Sequence, residues 1–155
     1  MTVDGFQIRK ATPADLAEIL ALLRGSSLPP DGVAEHLSEF HVVRDSIDRL
    51  VACAGVERYG AIGLLRSVAV SAELQRSGLG SRLVSRVLEE AGRAGMDEVV
   101  LLTTTARDFF ARRFNFKETT RDPYAEQLAL SAEWQLPRCS SAVVMSLRLA
   151  KEVTG

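Results

Sequence analysis

The chain has 155 residues, of which 46% are hydrophobic and 25% charged, and its formal net charge is −1. This length and composition predict a single globular domain over residues 1–155 with a sizeable core. The near-neutral charge argues against a nucleic-acid or anionic-membrane partner. No apolar run reaches the ~18 residues of a membrane span. The first ten residues lack the apolar core of a signal peptide, and two cysteines are too few for a disulfide scaffold. We therefore expect a cytoplasmic protein.

The first half of the chain is predicted to contain a strand, two helices and three strands. Residues 6–12 predict a strand, and residues 12–25 predict a helix that Thr12 caps and Pro13 opens. A loop over 26–32 precedes a short helix at 33–40. Strands are predicted at 41–45, 49–60 and 64–70, with turns between them.

The second half predicts alternating helices and strands. An amphipathic helix follows Gly80 and ends near Gly95, and the unalternating apolar run at 97–106 predicts a strand buried on both faces. A short helix at 106–114, a strand at 116–121, a helix or loop at 124–136 and a last strand at 141–149 complete the order. This order predicts an α/β (α+β mixed) fold, a mixed sheet with helices on both faces.

Residues 75–80, Gln-Arg-Ser-Gly-Leu-Gly, form a glycine turn between a predicted strand and a predicted helix. Glycines permit left-handed backbone and close approach to a ligand, and successive N–H groups before a helix N-terminus form an anion site. The turn is not a Walker A loop, because no Gly-Lys-Ser/Thr follows, and it fails the dinucleotide-binding spacing. By itself it fits a phosphate cradle and a plain tight turn equally well.

The stretch 64–88 resembles motif A of the GNAT N-acetyltransferases: a strand, then Q/R-x-x-G-x-G/A, then a helix. The order of elements over residues 6–149 is similar to the GNAT fold, which implies a mostly antiparallel sheet of about six to seven strands. The segments "LLRSVAV", "LLTTTA" followed by "FFARR", and "CSSAVVM" also resemble a branch named for arsenic-resistance operons. The resemblance implies transfer of an acetyl group from acetyl-CoA to a small-molecule amine, by direct attack in a ternary complex.

The resemblance also implies which residues hold the cofactor. The motif A strand would pair with the pantetheine arm, and the turn would bind the pyrophosphate through N–H groups. Arg82 and Arg86 would either meet the 3′-phosphate or form a solvated helix face. The cofactor residues implied are Val68, Ala69, Val70, Gln75, Arg76, Ser77, Gly78, Leu79, Gly80, Ser81, Thr103 and Phe110.

Acetyl transfer to an amine requires a base, and a donor for the acetyl oxygen. Glu57, on the strand before motif A, is the predicted base, since burial raises a carboxyl pKa toward neutrality. An exposed carboxylate or an ion pair with Arg58 or Arg66 is the alternative. Arg66, a charge within an apolar strand, is predicted either to bind a substrate carboxylate or arsonate-like oxyanion or to pair with Glu57. The acceptor is accordingly expected to be amino acid-like or organoarsenical.

The family's usual acid is a tyrosine in the helix after the next strand, in a pattern like N-x-x-A-x-x-x-Y. Here Thr103 replaces the asparagine, and Phe110 or Ala111 occupies the tyrosine position. Asn115 replaces a glycine after this helix, and asparagine tolerates left-handed backbone. Tyr124 is the predicted substitute acid, with water or unaided departure of the thiolate as alternatives.

Two rival functions are considered. The missing tyrosine is compatible with a catalytically degenerate GNAT domain that binds acyl-CoA as a sensor or partner module. Cys53 and Cys139 could serve as an arsenite clamp only if their thiols converge. The two histidines show no metal-ligand spacing, so no metal site is predicted. A homodimer is left open.

Overall fold

A computed structural model describes residues 6–136 and 141–149. Its strands are β1 Gln7–Lys10, β2 Phe40–Arg44, β3 Leu50–Tyr59, β4 Ile62–Val70, β5 Glu98–Thr103, β6 Lys117–Thr119 and β7 Val143–Arg148. Its α-helices are α1 Leu16–Gly25, α2 Leu79–Arg93, α3 Arg107–Phe114 and α4 Ala132–Gln135. Within the described ranges, no helix has the length and hydropathy needed to cross a bilayer.

The strands form a seven-stranded sheet in the order β1-β2-β3-β4-β5-β7-β6. β4 runs parallel to β5, from Ile62 opposite Glu98 to Leu65 opposite Leu101. The registered pairs β1–β2, β2–β3, β5–β7 and β6–β7 are antiparallel. The predicted fold class, a mixed and mostly antiparallel sheet with helices, is therefore confirmed.

The chain divides into two compact units, each with a core of its own. The first unit comprises Met1–Val56 and Arg66–Val87, and the second comprises Glu57–Leu65 and Leu88–Gly155. The core of the first unit includes Ile19, Leu23, Val33, Phe40, Val42, Leu50, Cys53 and Ala69. The core of the second includes Leu64, Val100, Tyr124, Leu128, Trp134 and Val144.

Local signals explain where several elements begin and end. The Asp15 carboxylate accepts the N–H of Thr12 at 2.8 Å, which fixes the 3-10 turn Pro13–Asp15 ahead of α1. Gly95 follows α2 with φ +94, the left-handed conformation expected after a helix C-terminus. Asn115 caps α3 with φ 62, so the turn survives without glycine, as predicted.

Two predicted elements differ from the structure. The expected helix at 33–40 is a kinked 3-10 segment, Ala34–Glu39, because His36 leaves helical geometry and Phe40 already begins β2. The region 124–136 is mostly turns, with a short α4 that starts where the Ser131 hydroxyl accepts the N–H of Trp134 at 3.2 Å. Such short elements are set by tertiary packing more than by propensity.

Candidate active site

The glycine turn of the first unit has the geometry of an anion site. A 3-10 turn, Ala72–Leu74, follows β4, and α2 begins at Leu79. Arg76 and Gly78 both have left-handed backbone, with φ 68 and +89. A Cβ at Gly78 would meet no atom beyond its two chain neighbours within 4 Å, so the space above this glycine is open to a ligand. Alternating backbone hand before a helix N-terminus turns N–H groups toward one point.

Hydrogen bonds within the turn decide which N–H groups are available. The N–H of Ser77 donates to Leu74 O at 3.2 Å, and the N–H of Leu79 donates to the Ser77 hydroxyl at 3.3 Å. The Gln75 side-chain amide donates to Val70 O at 3.2 Å, which ties the turn to the end of β4. The first helical bond runs from Arg82 N to Gly78 O at 3.1 Å. The N–H groups of Gly80 and Ser81 belong to the first helical turn, which has no intrahelical acceptors.

β4 changes conformation just before the segment predicted to bind the pantetheine arm. Its parallel register with β5 ends at Leu65, while β4 itself continues to Val70. Ser67 has φ 59, which is rare for a residue with a Cβ. Strict period-two alternation does not pass through a left-handed residue. The expectation that Arg66 shares a face with Val68 and Val70 therefore loses its basis.

Arg66 is bound to groups of its own unit. It is 3% exposed, and its Nε donates to the Ser67 hydroxyl at 2.9 Å. Its two terminal nitrogens donate to the carbonyl oxygens of Pro29, at 2.9 Å, and Asp31. Guanidinium donors of Arg66 thus hold main chain and a neighbouring hydroxyl, which is a structural use, with partners that the sequence did not suggest.

Glu57 and Tyr59 form a carboxylate–hydroxyl pair in the second unit, in which Glu57 is buried and Tyr59 half-buried. Both lie on β3, two residues apart and hence on one face of the strand. Glu57 is 0% exposed, and the Tyr59 hydroxyl donates to its Oε1. The predicted base is therefore buried, and Tyr59 is a partner that the sequence analysis missed. The i, i+2 spacing is the signal that would have found it.

Tyr124, the predicted substitute acid, donates from its hydroxyl to Glu98 Oε2 at 2.7 Å. Burial, more than the nearby carboxylate, raises its pKa above the usual range, so the phenol stays protonated at neutral pH. Glu98 opens β5, whereas Thr103 closes it. Tyr124 thus lies against the start of β5, at the end opposite to the predicted N-x-x-A-x-x-x-Y segment.

Thr103 and Phe110 have local structural contacts. The Thr103 hydroxyl accepts the N–H of Ala106 at 2.9 Å and so shapes the turn into α3. Phe110 is buried, and its ring packs edge-on against Phe109 and Phe116, with centroids 5.0 and 5.6 Å away. Phe110 therefore fills an aromatic cluster at one of the two positions, Phe110 or Ala111, at which the resemblance would place a tyrosine.

Cys53 is buried in the first unit, where its thiol donates to Ser67 O at 3.3 Å. Burial raises the pKa of Cys53 to about 12, so it is not a thiolate ligand at neutral pH. Cys139 lies outside the described residues. Between residues 6–136 and 141–149, no group of three or more His, Cys, Asp or Glu is placed to hold a metal ion.

A mixed sheet in which a strand leads through a glycine turn into a helix N-terminus is an arrangement that phosphate-binding proteins use. Residues 36–118 match the family model of the acetyltransferase (GNAT) domain. Because the match covers more than half of the chain, the chain belongs to the GNAT acetyltransferase family. Membership confirms the predicted enzyme class, an acyltransferase.

Relatives of known sequence are also acetyltransferases. The chain is 28% identical over 130 residues to the amino-acid acetyltransferase of Neisseria meningitidis, a match that covers 77% of this chain and 29% of that protein. The chain thus spans under a third of that relative's length. An N-acetyltransferase of Chlorobaculum tepidum is 24% identical over 129 residues, 78% of this chain and 81% of the other.

Similar solved structures hold CoA. N-acetylglutamate synthase from Neisseria gonorrhoeae, complexed with coenzyme A and N-acetyl-glutamate, has a TM-score of 0.77 at 23% identity, covering 94% of this chain and 35% of that one. Rv2747 from Mycobacterium tuberculosis, in complex with CoA and NLQ, has a TM-score of 0.74 at 25% identity, covering 93% and 99%. These complexes agree with acetyl-CoA as the predicted donor. None of the relatives named here supports the narrower arsenic-resistance resemblance.

Proposed function

We propose that this chain transfers the acetyl group of acetyl-CoA to the amine of an amino acid or a similar small molecule. The observation that carries the proposal is the open, left-handed turn at Arg76 and Gly78 in front of α2. An α-amino acid is favoured as the acceptor, because two similar proteins are an amino-acid acetyltransferase and an N-acetylglutamate synthase.

The turn and the end of β4 are assigned to the cofactor. When bound, acetyl-CoA supplies the acetyl group as an activated thioester. The N–H groups of Gly78, Gly80 and Ser81 are the best suited to the pyrophosphate, because those of Ser77 and Leu79 have acceptors inside the turn. Main-chain groups of residues 68–70 pair with the pantetheine arm, since the ladder with β5 ends at Leu65.

Glu57 is assigned as the base that takes the amine proton, and Tyr59 orients its carboxylate. A base must keep one geometry through each turnover, and the Tyr59 hydroxyl fixes one carboxylate oxygen. Val68 N–H is assigned to the acetyl oxygen, as the family resemblance implies. We do not assign Tyr124 as the acid, because its hydroxyl donates to Glu98. A thiolate with a free pKa of ~8.5 is a competent leaving group unaided.

The acceptor carboxylate is not assigned to Arg66, whose guanidinium donates to Ser67, Pro29 and Asp31. An organoarsenical acceptor has no supporting contact among the described residues. The acceptor is therefore defined here by class, an amino acid, with glutamate as the first compound to test. The homodimer and the cytoplasmic location stay predictions.

A thiol-release assay with acetyl-CoA and the twenty amino acids tests the proposal, with mass spectrometry to identify the acetylated product. We expect one or a few amino acids to release CoA and gain an acetyl group. Calorimetric titration with CoA runs in parallel. Tight CoA binding without turnover on any amine would favour the alternative, a catalytically degenerate domain that binds acyl-CoA as a sensor.

A further inference from the structure

Ser67 has an unusual backbone for a strand residue. It lies inside β4 with φ 59, a conformation that residues with a Cβ rarely adopt. Such residues persist where the surrounding structure holds them, and they concentrate at functional sites. Ser67 follows Leu65, the last residue of β4 registered with β5, by two positions. It precedes Val68, where the segment assigned to the cofactor begins.

Two buried donors bind different groups of Ser67. The Nε of Arg66 donates to its hydroxyl at 2.9 Å, and the thiol of Cys53 donates to its carbonyl at 3.3 Å. Arg66 is itself fixed by the carbonyl oxygens of Pro29 and Asp31. We call Cys53, Arg66 and Ser67 the Ser67 clamp. All three residues belong to the first unit and all are buried.

The chemistry of the clamp suits a fixed support. An arginine guanidinium does not titrate in proteins. Burial also raises the pKa of Cys53 to about 12, which keeps its thiol a neutral donor throughout the physiological range. Both hydrogen bonds are therefore present at any pH at which acetyl transfer from a CoA thioester would be measured. Glycine at position 67 would supply the backbone freedom without the hydroxyl that accepts from Arg66.

We propose that the Ser67 clamp is a positioning device, which holds the main chain of β4 so that the Val68 N–H keeps the direction that acetyl transfer requires. The inference rests on the proposed function and makes Cys53, Arg66 and Ser67 positioning residues. A displaced donor lowers the rate of the chemical step. The pyrophosphate is assigned to the separate turn at residues 76–81, so such a shift should lower kcat by a larger factor than it weakens CoA binding.

Ser67→Gly is the most direct test, because glycine permits the left-handed backbone but cannot hold it through a hydroxyl. Cys53→Ala removes the second bond with a small, buried substitution. We expect kcat to fall about tenfold or more in each variant, and the Kd for CoA to rise by a smaller factor, because residues 68–70 of the same strand are assigned to the pantetheine arm. Unchanged kcat in both variants would overturn the positioning role.

A second readout does not need turnover. Alkylation of Cys53 by iodoacetamide, followed by peptide mass spectrometry to separate it from Cys139, reports opening of the contact with Ser67. We expect Ser67→Gly and Arg66→Lys to raise the Cys53 alkylation rate about tenfold. If the wild type acetylates no amine, the proposed function fails, but the Cys53 alkylation rate still shows whether the Ser67 clamp holds the strand. Equal alkylation rates in wild type and both variants would overturn the clamp, even if kcat had fallen.

Discussion

The turn between β4 and α2, in the first unit, offers main-chain N–H groups to a ligand, whereas Glu57 and Tyr59, in the second unit, offer side-chain groups. In the first unit the buried charged side chains Asp15 and Arg66 bind protein groups. In the second, the candidate base is the buried carboxylate of Glu57, which accepts from the Tyr59 hydroxyl on the same strand. Substitutions that change backbone conformation should therefore weaken ligand binding at the turn, whereas replacing a single side-chain atom should be enough to lower activity at Glu57 and Tyr59.

The largest expected effect is on Glu57. Glu57→Gln keeps the size of the side chain and an oxygen for the Tyr59 hydroxyl, but it removes the basic oxygen. We expect kcat for amine acetylation to fall at least about 100-fold, the usual contribution of a general base, with no change in the Kd for CoA. Steady-state kinetics and calorimetry measure the two quantities.

Glu118→Gln is the matched control, because Glu118 is an exposed carboxylate on β6 in the same unit. Its kcat should equal that of the wild type. A Glu57→Gln enzyme with kcat close to that of the control would remove Glu57 from the chemistry. The second unit would then have no candidate base among its assigned residues.

Asp15 should affect stability alone. It is 1% exposed, and its carboxylate accepts from Arg9 at 2.8 and 2.9 Å and from Arg44 at 2.8 Å. We expect Asp15→Asn to lower the free energy of unfolding by about 2 kcal/mol, because bonds to a charged group are lost, with kcat unchanged. Denaturant titration and the thiol-release assay test this, and a loss of kcat without loss of stability would contradict it.

The pH dependence of stability gives a second measure of Asp15. The bond from Arg9, followed by those from Thr12 and Arg44, holds its pKa well below the usual range. A lowered folded pKa contributes stability that is present above the unfolded pKa of ~3.9 and is lost as the pH falls toward the folded value. The wild type should therefore lose stability below about pH 4 more steeply than Asp15→Asn. Parallel curves would show that Asp15 is not the group responsible.

Alanine substitutions at the two glycines of the turn distinguish the effect of backbone conformation on CoA binding from the effect of an added methyl group. Gly78 has φ +89, so Gly78→Ala is strained and places a Cβ in the space open to the ligand. Gly80 has no such φ, and its Cβ would meet Val70 Cγ2 at an ordinary 3.5 Å. We expect Gly78→Ala to weaken CoA binding about tenfold or more. Gly80→Ala should leave the Kd unchanged and raise stability by about 0.5–1 kcal/mol. Equal Kd values for the two variants would refute the anion site.

The same contrast explains what the sequence could predict. The glycine turn, the 3-10 turn ahead of α1 and the end of α2 carry residue types with local backbone meaning, namely Gly78, Thr12 and Gly95. The burial of Glu57 and the clamp at Ser67 have no such signature. Arg66 donates to carbonyl oxygens 35 and 37 residues away in sequence, which no local pattern predicts. No sequence pattern predicts a left-handed serine within a strand either.

Tyr59 and Tyr124 give the finest test, because each donates to a carboxylate of the second unit but only one of those carboxylates is the candidate base. Tyr59→Phe removes the hydroxyl that orients Glu57, so kcat should fall about tenfold, in line with one charge-assisted hydrogen bond. Tyr124→Phe should lower the free energy of unfolding by about 1 kcal/mol and leave kcat unchanged, since Glu98 opens β5 and can regain water. Kinetics and denaturant titration on both variants decide the matter. A larger loss of kcat in Tyr124→Phe than in Tyr59→Phe would return the acid role to Tyr124 and deprive Tyr59 of its part in orienting the base.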